Sequence, residues 1–148
     1  MRKSLTPMPT LVVLDNTVLS NFALTTHVDW LRIYPVPVAT TRQAWDELER
    51  GIRAGRIPPQ NWEWLTILEL DEQDQRRYTD LKPPLGAGEA TCLAAAWIRN
   101  CQVATDDKRA RQKARDLGIL SQELWGFLSN WSRADKYPYQ KPIEHSAK

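Results

Sequence analysis

The chain has 148 residues, 42% of them hydrophobic and 26% charged, which fits one soluble globular domain with a sizeable core and argues against disorder. Its formal net charge of +2 excludes a strong bulk attraction to nucleic acid, so any such attraction must come from local charge. Two cysteines are too few for a disulfide scaffold, and no apolar run is long enough for an export signal or a membrane span, so we expect a reduced, cytoplasmic protein.

The first predicted strand is Leu11–Leu14, an apolar, β-branched run of the kind that is buried in a parallel sheet. Asp15 ends it, and Asn16 or Thr17 can cap the helix that follows and runs to Leu24. A carboxylate at such a turn lies outside the carboxyl end of the strand, where open α/β sheets bind their ligands. Asp15 is therefore either a ligand-binding residue or only a part of the helix cap.

A second strand is predicted at Tyr34–Val38, where two prolines favour either the edge of a sheet or an irregular start of the strand. Thr40 or Thr41 then caps a helix that runs to about Ala54. Glu47 lies beside the apolar stripe of this helix. An acid there is usually solvated surface, so its role depends on where the other acids lie.

The central stretch begins with a Gly-rich turn and continues as an amphipathic helix that starts at Glu89. A short strand, Gln102–Thr105, follows and delivers two adjacent acids, Asp106 and Asp107. Because the helix runs away from Glu89 and the strand runs back, Asp107 should return to the edge where Glu89 lies. Two carboxylates far apart in sequence are thus predicted to meet in space.

The other predicted elements are a strand at Trp62–Leu70, a helix at 71–81, and a last helix at 121–133 that packs on the sheet. Alternating strands and helices predict a three-layer α/β/α fold with a mostly parallel sheet. We expect a single domain over 1–148, with its core at about 10–134 and a loose tail at 135–148. Four acids share one predicted edge of the sheet: Asp15, Glu47, Glu89 and Asp107.

Converging carboxylates would bind protons at neutral pH unless a cation compensated them. Magnesium prefers oxygen ligands and is usually held by carboxylates together with substrate phosphate, which suits an acidic site without Cys or His. Metal-assisted attack of water on a phosphodiester is the chemistry that such a site performs, and it predicts a nuclease. The basic residues of the next helix either hold a phosphate backbone or are ordinary solvated surface: Lys108, Arg109, Arg111, Lys113 and Arg115.

These motifs resemble those of the PIN-domain nucleases, especially the toxins of VapBC-type toxin–antitoxin pairs, over about residues 11–128. In that family an Asp ends the first strand and a small polar residue follows two positions later, as in LDNT. The second acid lies in a helix after a Thr-rich turn, as in TTRQAWDELERG. The third opens a helix of small residues, as in GEATCLAAA, and the fourth follows a Thr-x-Asp step, as in VATDD. The matching residues are Asp15, Thr17, Glu47, Glu89, Thr105 and Asp107.

The resemblance implies cleavage of RNA with Mg²⁺ or Mn²⁺. The implied catalytic acids are Asp15, Glu47, Glu89 and Asp107, and the implied metal ligands are Asp15, Glu89, Asp107 and Asp106. Thr17 and Thr105 support them, and Arg109, Arg111 and Arg115 would contact RNA. A homodimer and a cognate antitoxin are implied as partners, with the antitoxin in an apolar groove near the acids that some of the tryptophans would line: Trp30, Trp45, Trp62 and Trp64.

Three alternatives stay open. A PIN nuclease of RNA processing would share the site without being a toxin. A PIN-fold binding module without activity would use the seven tryptophans for partner contacts. A dehalogenase-like phosphatase also carries an Asp after its first strand, but the second Asp of that motif is absent here.

Overall fold

The computed structural model describes residues 11–25, 27–81 and 85–122. These ranges contain five strands and six helices, which follow one another in largely alternating order. In chain order they are β1 (Val12–Leu14), α1 (Asn16–Thr25), α2 (Val28–Arg32), β2 (Val38–Thr41), α3 (Arg42–Arg53), β3 (Thr66–Leu68), α4 (Glu72–Leu81), α5 (Ala87–Arg99), β4 (Gln102–Ala104), α6 (Lys108–Leu117) and β5 (Ser121–Gln122).

The five strands form one sheet in the order β3-β2-β1-β4-β5, and every neighbouring pair is parallel. The chain builds outward from β1 in one direction through β2 and β3, and then returns to add β4 on the other side of β1. The gap between β1 and β4 is therefore the point at which the strand order reverses. In open parallel sheets the crevice at this point, outside the carboxyl ends of the strands, is where ligands bind.

Both faces of the sheet are covered, which confirms the predicted three-layer architecture. Val12 and Leu14 belong to one buried cluster, with residues of α1, α2 and α3. Val13, which points to the opposite face of β1, belongs to a second cluster with residues of α5 and α6. A strand buried on both faces needs a continuous apolar run, and this is why the first strand could be recognised in the sequence.

The predicted position of the second strand was wrong. The strand is Val38–Thr41, and the segment Tyr34–Pro37 precedes it as an irregular connection. β2 lies inside the sheet, between β1 and β3, so the prolines mark an irregular start of the strand and not a sheet edge. The physical reason is that proline has no N–H to donate to a neighbouring strand, so Pro37 contributes only its carbonyl oxygen, which accepts a hydrogen bond from Val12 at 3.0 Å, and the strand proper begins at Val38.

The third strand is shorter than predicted, since only Thr66–Leu68 pairs. The Thr41 cap is confirmed, because its side chain accepts a hydrogen bond from the backbone of Ala44 at 3.2 Å, and the helix at 71–81 is confirmed as α4. Ser121 and Gln122 form β5 and not the start of a helix. The rest of the predicted last helix lies outside the described residues.

None of the helices in the described ranges is both long and apolar enough to cross a bilayer. Cys92 and Cys101 are buried and unpaired, in keeping with a reduced protein. Asp74 of α4 receives two hydrogen bonds from Arg99 of α5, at 2.7 and 3.0 Å, and fastens these two helices together. This ion pair joins the C-terminal end of α5 to α4, and Glu89 lies in the first turn at the opposite end of α5.

Candidate active site

Asp15 and Asp106 leave the sheet side by side, because they follow the neighbouring strands β1 and β4. The backbone N–H of Asp15 donates to the carbonyl oxygen of Ala104 at 3.1 Å, so the ladder between the two strands continues to the first acid. The chain then turns into α1 after Asp15 and into α6 after Asp107. The reversal of strand order thus brings three acids to one edge.

The two carboxylate oxygens of Asp15 have different surroundings. Oδ1 accepts hydrogen bonds from the Thr17 hydroxyl at 2.6 Å and from the Val18 backbone at 3.2 Å, which makes Asp15 itself the cap of α1. Oδ2 is buried and has no hydrogen-bond partner. Of the two interpretations left open by the sequence, the structure shows the cap and leaves the second oxygen available to a ligand.

The position of Asp15 disfavours its charge. The side chain is 1% exposed, and burial raises the pKa of this carboxyl from 3.8 to about 6, with the negative charge of Asp106 acting in the same direction. The nearby hydroxyl of Thr105 and the hydrogen bond from Thr17 favour the charged carboxylate and oppose the shift without cancelling it. A buried acid with a raised pKa at the switch point of a parallel sheet is a strong indication of a functional site.

Glu89 and Asp107 form a coupled pair across the edge. Burial, followed by the hydrogen bond and charge of Asp107, raises the pKa of Glu89 to about 7, and the charge of Asp15 adds to the shift. The hydrogen bond from Glu89 lowers the pKa of Asp107. Of these two acids, Glu89 is therefore the one that binds a proton more readily. We call the four acids that influence one another in this way the acid cluster: Asp15, Glu89, Asp106 and Asp107.

Both members of this pair also serve helix ends. Oδ1 of Asp107 caps α6 by accepting hydrogen bonds from the backbones of Arg109 at 2.8 Å and Ala110 at 3.2 Å. The Glu89 side chain accepts a hydrogen bond from the backbone of Gly86 at 3.3 Å in the first turn of α5. The positive ends of two helices therefore face the acid cluster and partly offset its charge.

Asp106 is held by two residues of α1. Its backbone N–H donates to the Thr17 hydroxyl at 2.9 Å, and its Oδ2 accepts a hydrogen bond from the Asn21 amide at 2.5 Å. Asn21 was not singled out from the sequence. The available signal was its spacing, because a residue four positions after Thr17 lies on the same helix face.

Glu47 borders the acid cluster from α3. Its Oε2 accepts a hydrogen bond from the backbone N–H of Gly88 at 3.3 Å, one residue before Glu89. Gly88 is buried and belongs to the first turn of α5, so the free N–H groups of that turn attract the carboxylate. The structure thus brings Glu47 to the same edge as the other predicted acids, although it does not contact them through a described hydrogen bond.

A buried layer of hydroxyl and thiol groups lies beneath Asp15. The Thr40 hydroxyl donates to the carbonyl oxygen of Leu14 at 2.6 Å, and the Cys92 sulfur lies 3.6 Å from the same oxygen. The Thr41 and Thr91 hydroxyls, 2.8 Å apart, continue this layer. These contacts fix the peptide that leads into Asp15, and burial raises the pKa of the Cys92 thiol, so it stays protonated.

The three predicted RNA-binding arginines have unequal surroundings. Arg109 and Arg115 are exposed on α6, and Arg115 donates to the side chain of Gln112 at 2.7 Å. Arg111 is half-buried and donates to the carbonyl oxygen of Thr105 at 3.3 Å. Arg111 is therefore attached to the loop that carries Asp106 and Asp107, whereas the other two side chains reach solvent.

The residues of the acid cluster fit a hard divalent cation in donor type and charge. All four supply oxygen, and Oδ2 of Asp15 lacks a partner. As they stand in the described ranges, no three acidic, His or Cys side chains are arranged to enclose an ion. Burial and the charges of neighbouring acids raise the pKa values of Asp15 and Glu89, and a cation would relieve the charge repulsion.

The four tryptophans that were expected to line a partner groove pack against the core to different extents. Trp62 is buried, and Trp30, Trp45 and Trp64 are half-buried against the first cluster. Trp45 and Trp62 nevertheless line a groove of about 360 Å³, which we call the tryptophan groove. Its other lining residues are Glu49, Ile52, Arg53, Pro59, Gln60 and Glu63. Trp45 and Glu47 are two positions apart on α3 and project to nearly opposite sides, so this groove does not open beside the acids.

Comparisons with known proteins agree with this geometry. A family model described as a PIN domain matches residues 11–130. No curated protein matches the chain. Among solved structures, VapBC2 from Rickettsia felis, bound to a DNA fragment from their promoter, has a TM-score of 0.57 at 14% identity, over 76% of this chain and 98% of that one.

Two further structures show the same similarity. VapBC-1 from nontypeable Haemophilus influenzae has a TM-score of 0.55 at 16% identity, over 77% of this chain and 98% of that one. FitAcB from Neisseria gonorrhoeae has a TM-score of 0.54 at 18% identity, over the same shares of the two chains. At these identities the likeness is one of fold.

Proposed function

The chain belongs to the PIN-domain family, and we propose on that basis that it is a metal-dependent endoribonuclease that hydrolyses RNA phosphodiester bonds. The observation that carries this proposal is Oδ2 of Asp15. This oxygen is buried at the carboxyl edge of the sheet, without a hydrogen-bond partner, on an acid whose pKa is raised to about 6. Burying an oxygen without a hydrogen-bond partner costs free energy, and a bound ligand that contacts the oxygen would remove this cost.

The acid cluster would hold Mg²⁺ or Mn²⁺, with Asp15, Glu89, Asp106 and Asp107 as candidate ligands. Such an ion supplies an activated water and stabilises the charge of the leaving oxygen. Thr17 orients Asp15 and the Asp106 backbone, and Thr105 supports Asp15 and the Asp107 backbone. Glu47, anchored at Gly88, lies where it can act on a substrate held at the same edge.

RNA would be positioned by the basic face of α6. Arg109 is exposed in the first turn of α6, at the acid cluster, and Arg115 is exposed in the last turn of the same helix, so the two can bind successive phosphates leading away from the scissile one. Arg111 would act on the acid cluster itself, because its hydrogen bond to the carbonyl oxygen of Thr105 stabilises the loop that carries Asp106 and Asp107.

A toxin of a type II toxin–antitoxin pair is the biological role that we propose for this nuclease. The support is the family together with the likeness in fold to VapBC2, VapBC-1 and FitAcB. A homodimer and a cognate antitoxin follow as proposed partners, acting in the cytoplasm. The tryptophan groove is an apolar surface available to such a partner, although it lies away from the acids.

Cleavage of RNA by the purified protein tests the nuclease. We expect products with Mg²⁺ or Mn²⁺, none with chelator, and recovery when metal is restored. Expression of the chain alone should arrest growth, and expression together with the neighbouring open reading frame should relieve the arrest. Metal-dependent cleavage without toxicity would leave a PIN nuclease of RNA processing.

The inactive binding module is the weaker candidate. A protein released from metal chemistry has no physical reason to keep a buried cluster of repelling acids. Burial, and to a smaller extent the charges of the neighbouring acids, raise the pKa values of Asp15 and Glu89. An active-site cluster accounts for them, and a partner-binding surface does not.

A further inference from the structure

We propose that Asn21 is a positioning residue whose amide holds the Asp106 carboxylate within the acid cluster. The inference rests on the proposed metal-dependent function and assigns to it a residue of α1 that is not an acid. Asn21 and Asp106 are 85 positions apart in sequence, and Nδ2 of Asn21 donates to Oδ2 of Asp106 at 2.5 Å. The contact joins α1 to the loop that leaves β4.

Repulsion explains why Asp106 needs such a contact. The negative charge of Asp106 raises the pKa of Asp15, so the two carboxylates lie near enough to disfavour each other. This repulsion favours rotation of the Asp106 carboxylate toward solvent, where its charge is better hydrated. The Asn21 amide offsets this tendency with a hydrogen bond to one oxygen of Asp106.

The chemistry of asparagine suits this position. An amide donates a hydrogen bond without carrying charge, whereas lysine or arginine would neutralise Asp106 and compete with a cation for it. Metal sites commonly use uncharged groups of this kind to orient their acidic ligands. Asn21 therefore fixes the direction of the carboxylate and leaves its charge available.

The neighbouring acid is held by different means. Oδ1 of Asp107 caps α6 through the backbones of Arg109 and Ala110, and Asp107 also receives the hydrogen bond of Glu89. Asp107 is thus positioned by its own helix, and Asp106 by α1. The two adjacent acids are oriented independently, which allows both to contribute to one site.

A purely structural role for Asn21 is less consistent with the surrounding contacts. α1 is already joined to β4 through the backbone bond from Asp15 to Ala104, and to the following loop through the bond from the Asp106 backbone to Thr17. The fold of α1 therefore does not depend on the Asn21 side chain. Its loss should change the site more than the stability.

A double-mutant cycle tests the proposal. The cycle comprises wild type, Asn21→Ala, Asp106→Asn and the double variant. For each protein, the affinity for Mn²⁺ is measured by calorimetry and the melting temperature is measured in the presence of chelator. Asn21→Leu keeps the side-chain volume without the donor and should match Asn21→Ala. Ser20→Ala is the matched control, because the Ser20 hydroxyl donates to Asn16 within the same helix, at 3.2 Å.

We expect Asn21→Ala and Asn21→Leu to raise the Kd for Mn²⁺ about tenfold, as loss of a residue that orients a metal ligand typically does. Ser20→Ala should keep the wild-type Kd. The double variant should bind no more weakly than Asp106→Asn alone, because Asn21 acts through Asp106. Melting temperatures in chelator should stay close to that of wild type.

Two results would overturn the proposal while the metal site stands: a wild-type Kd in both Asn21 variants, or additive losses in the double variant. If the Asn21 variants bind Mn²⁺ more weakly and also lose an equal free energy of unfolding in chelator, the role of Asn21 is structural. Failure of the wild-type protein to bind Mn²⁺ would instead overturn the proposed function, and this inference with it.

Discussion

Gly88 leaves the space that the carboxylate of Glu47 occupies. The Gly88 backbone donates to Glu47 at 3.3 Å, and a Cβ atom at position 88 would lie 2.8 Å from Glu47 Cδ, well inside van der Waals contact. The glycine in the turn before Glu89 is therefore more than a helix start. It allows the acid of α3 to approach the first turn of α5.

Replacing Gly88 with alanine should displace Glu47 without removing any charge. We expect kcat for RNA cleavage to fall about 100-fold, because small displacements of a group at a reacting centre have effects of that size. Stability should change little, since alanine favours the helix and the Glu47 side chain can move. Gly86→Ala is the control, because its Cβ would meet Glu89 at an ordinary 3.9 Å. Equal activity of the two variants would remove Glu47 from the site.

Thr17→Val should damage both acids that the hydroxyl joins. The variant keeps the shape of the side chain but loses the donor to Asp15 and the acceptor for the Asp106 backbone. We expect unfolding in chelator to become easier by about 1 to 3 kcal/mol, because partners are left unpaired, together with weaker Mn²⁺ binding. Thr79→Val, which removes an exposed hydroxyl bonded to Gln75 on α4, should show neither effect.

The stability of the metal-free protein should depend on the ionisation of Asp15. The pKa of Asp15 in the folded state, about 6, is above the ordinary value of 3.8, so the folded protein binds this proton more tightly than the unfolded chain does. The resulting stabilisation of the fold is complete below about pH 4 and is lost as the pH rises through 6. The shift of about two units corresponds to about 3 kcal/mol. Asp15→Asn cannot ionise, so in chelator its melting temperature should exceed that of wild type by more at pH 7.5 than at pH 5.

Thermal melts in chelator across this pH range provide the measurement. Asp29→Asn, which changes an exposed acid on α2, should follow the wild-type curve. A constant difference between wild type and Asp15→Asn at all pH values would show that Asp15 does not titrate in this range. Glu89, with a pKa of about 7, should add a loss of stability in the same direction, somewhat smaller in Asp15→Asn because the charge of Asp15 contributes to the Glu89 shift.

Arg109→Gln and Arg115→Gln should weaken RNA binding in proportion to the phosphates that they contact. Each lost contact to a single strand should reduce the slope of log K against log salt by about 0.7. Arg53→Gln on α3, another exposed arginine, serves as the control. If the slope stays at the wild-type value in both α6 variants, the basic face of α6 does not contact the RNA backbone.

Sequence patterns predicted the features that depend on residues close to one another in the chain. The run Val12–Leu14 and the acid after it could be recognised because a strand buried on both faces is continuously apolar. The common edge of Asp15, Glu89 and Asp107 followed from the topology of a parallel sheet. These inferences needed only the order of strands and helices.

Contacts across the fold could not be inferred in the same way. Asn21 meets Asp106, and Glu47 meets Gly88, across 85 and 41 positions, and neither pair leaves a periodic signal. The alternation of residues in WEWLTILEL predicted a longer strand than the one that forms. Its first residues form a turn in which the Trp64 indole donates to the carbonyl oxygen of Asn61 at 2.8 Å, so the tryptophans reflect local packing and not a strand.

The central claim is that Asp15 completes a metal site that cleaves RNA. The most direct measurement is a Mn²⁺ titration of wild type and Asp15→Asn, with RNA cleavage followed in the same samples. Cleavage by wild type should rise with Mn²⁺ occupancy, and Asp15→Asn should neither bind Mn²⁺ comparably nor cleave, while remaining folded and at least as stable in chelator. Cleavage that persists in chelator, or a folded Asp15→Asn variant with wild-type binding and rate, would contradict the account.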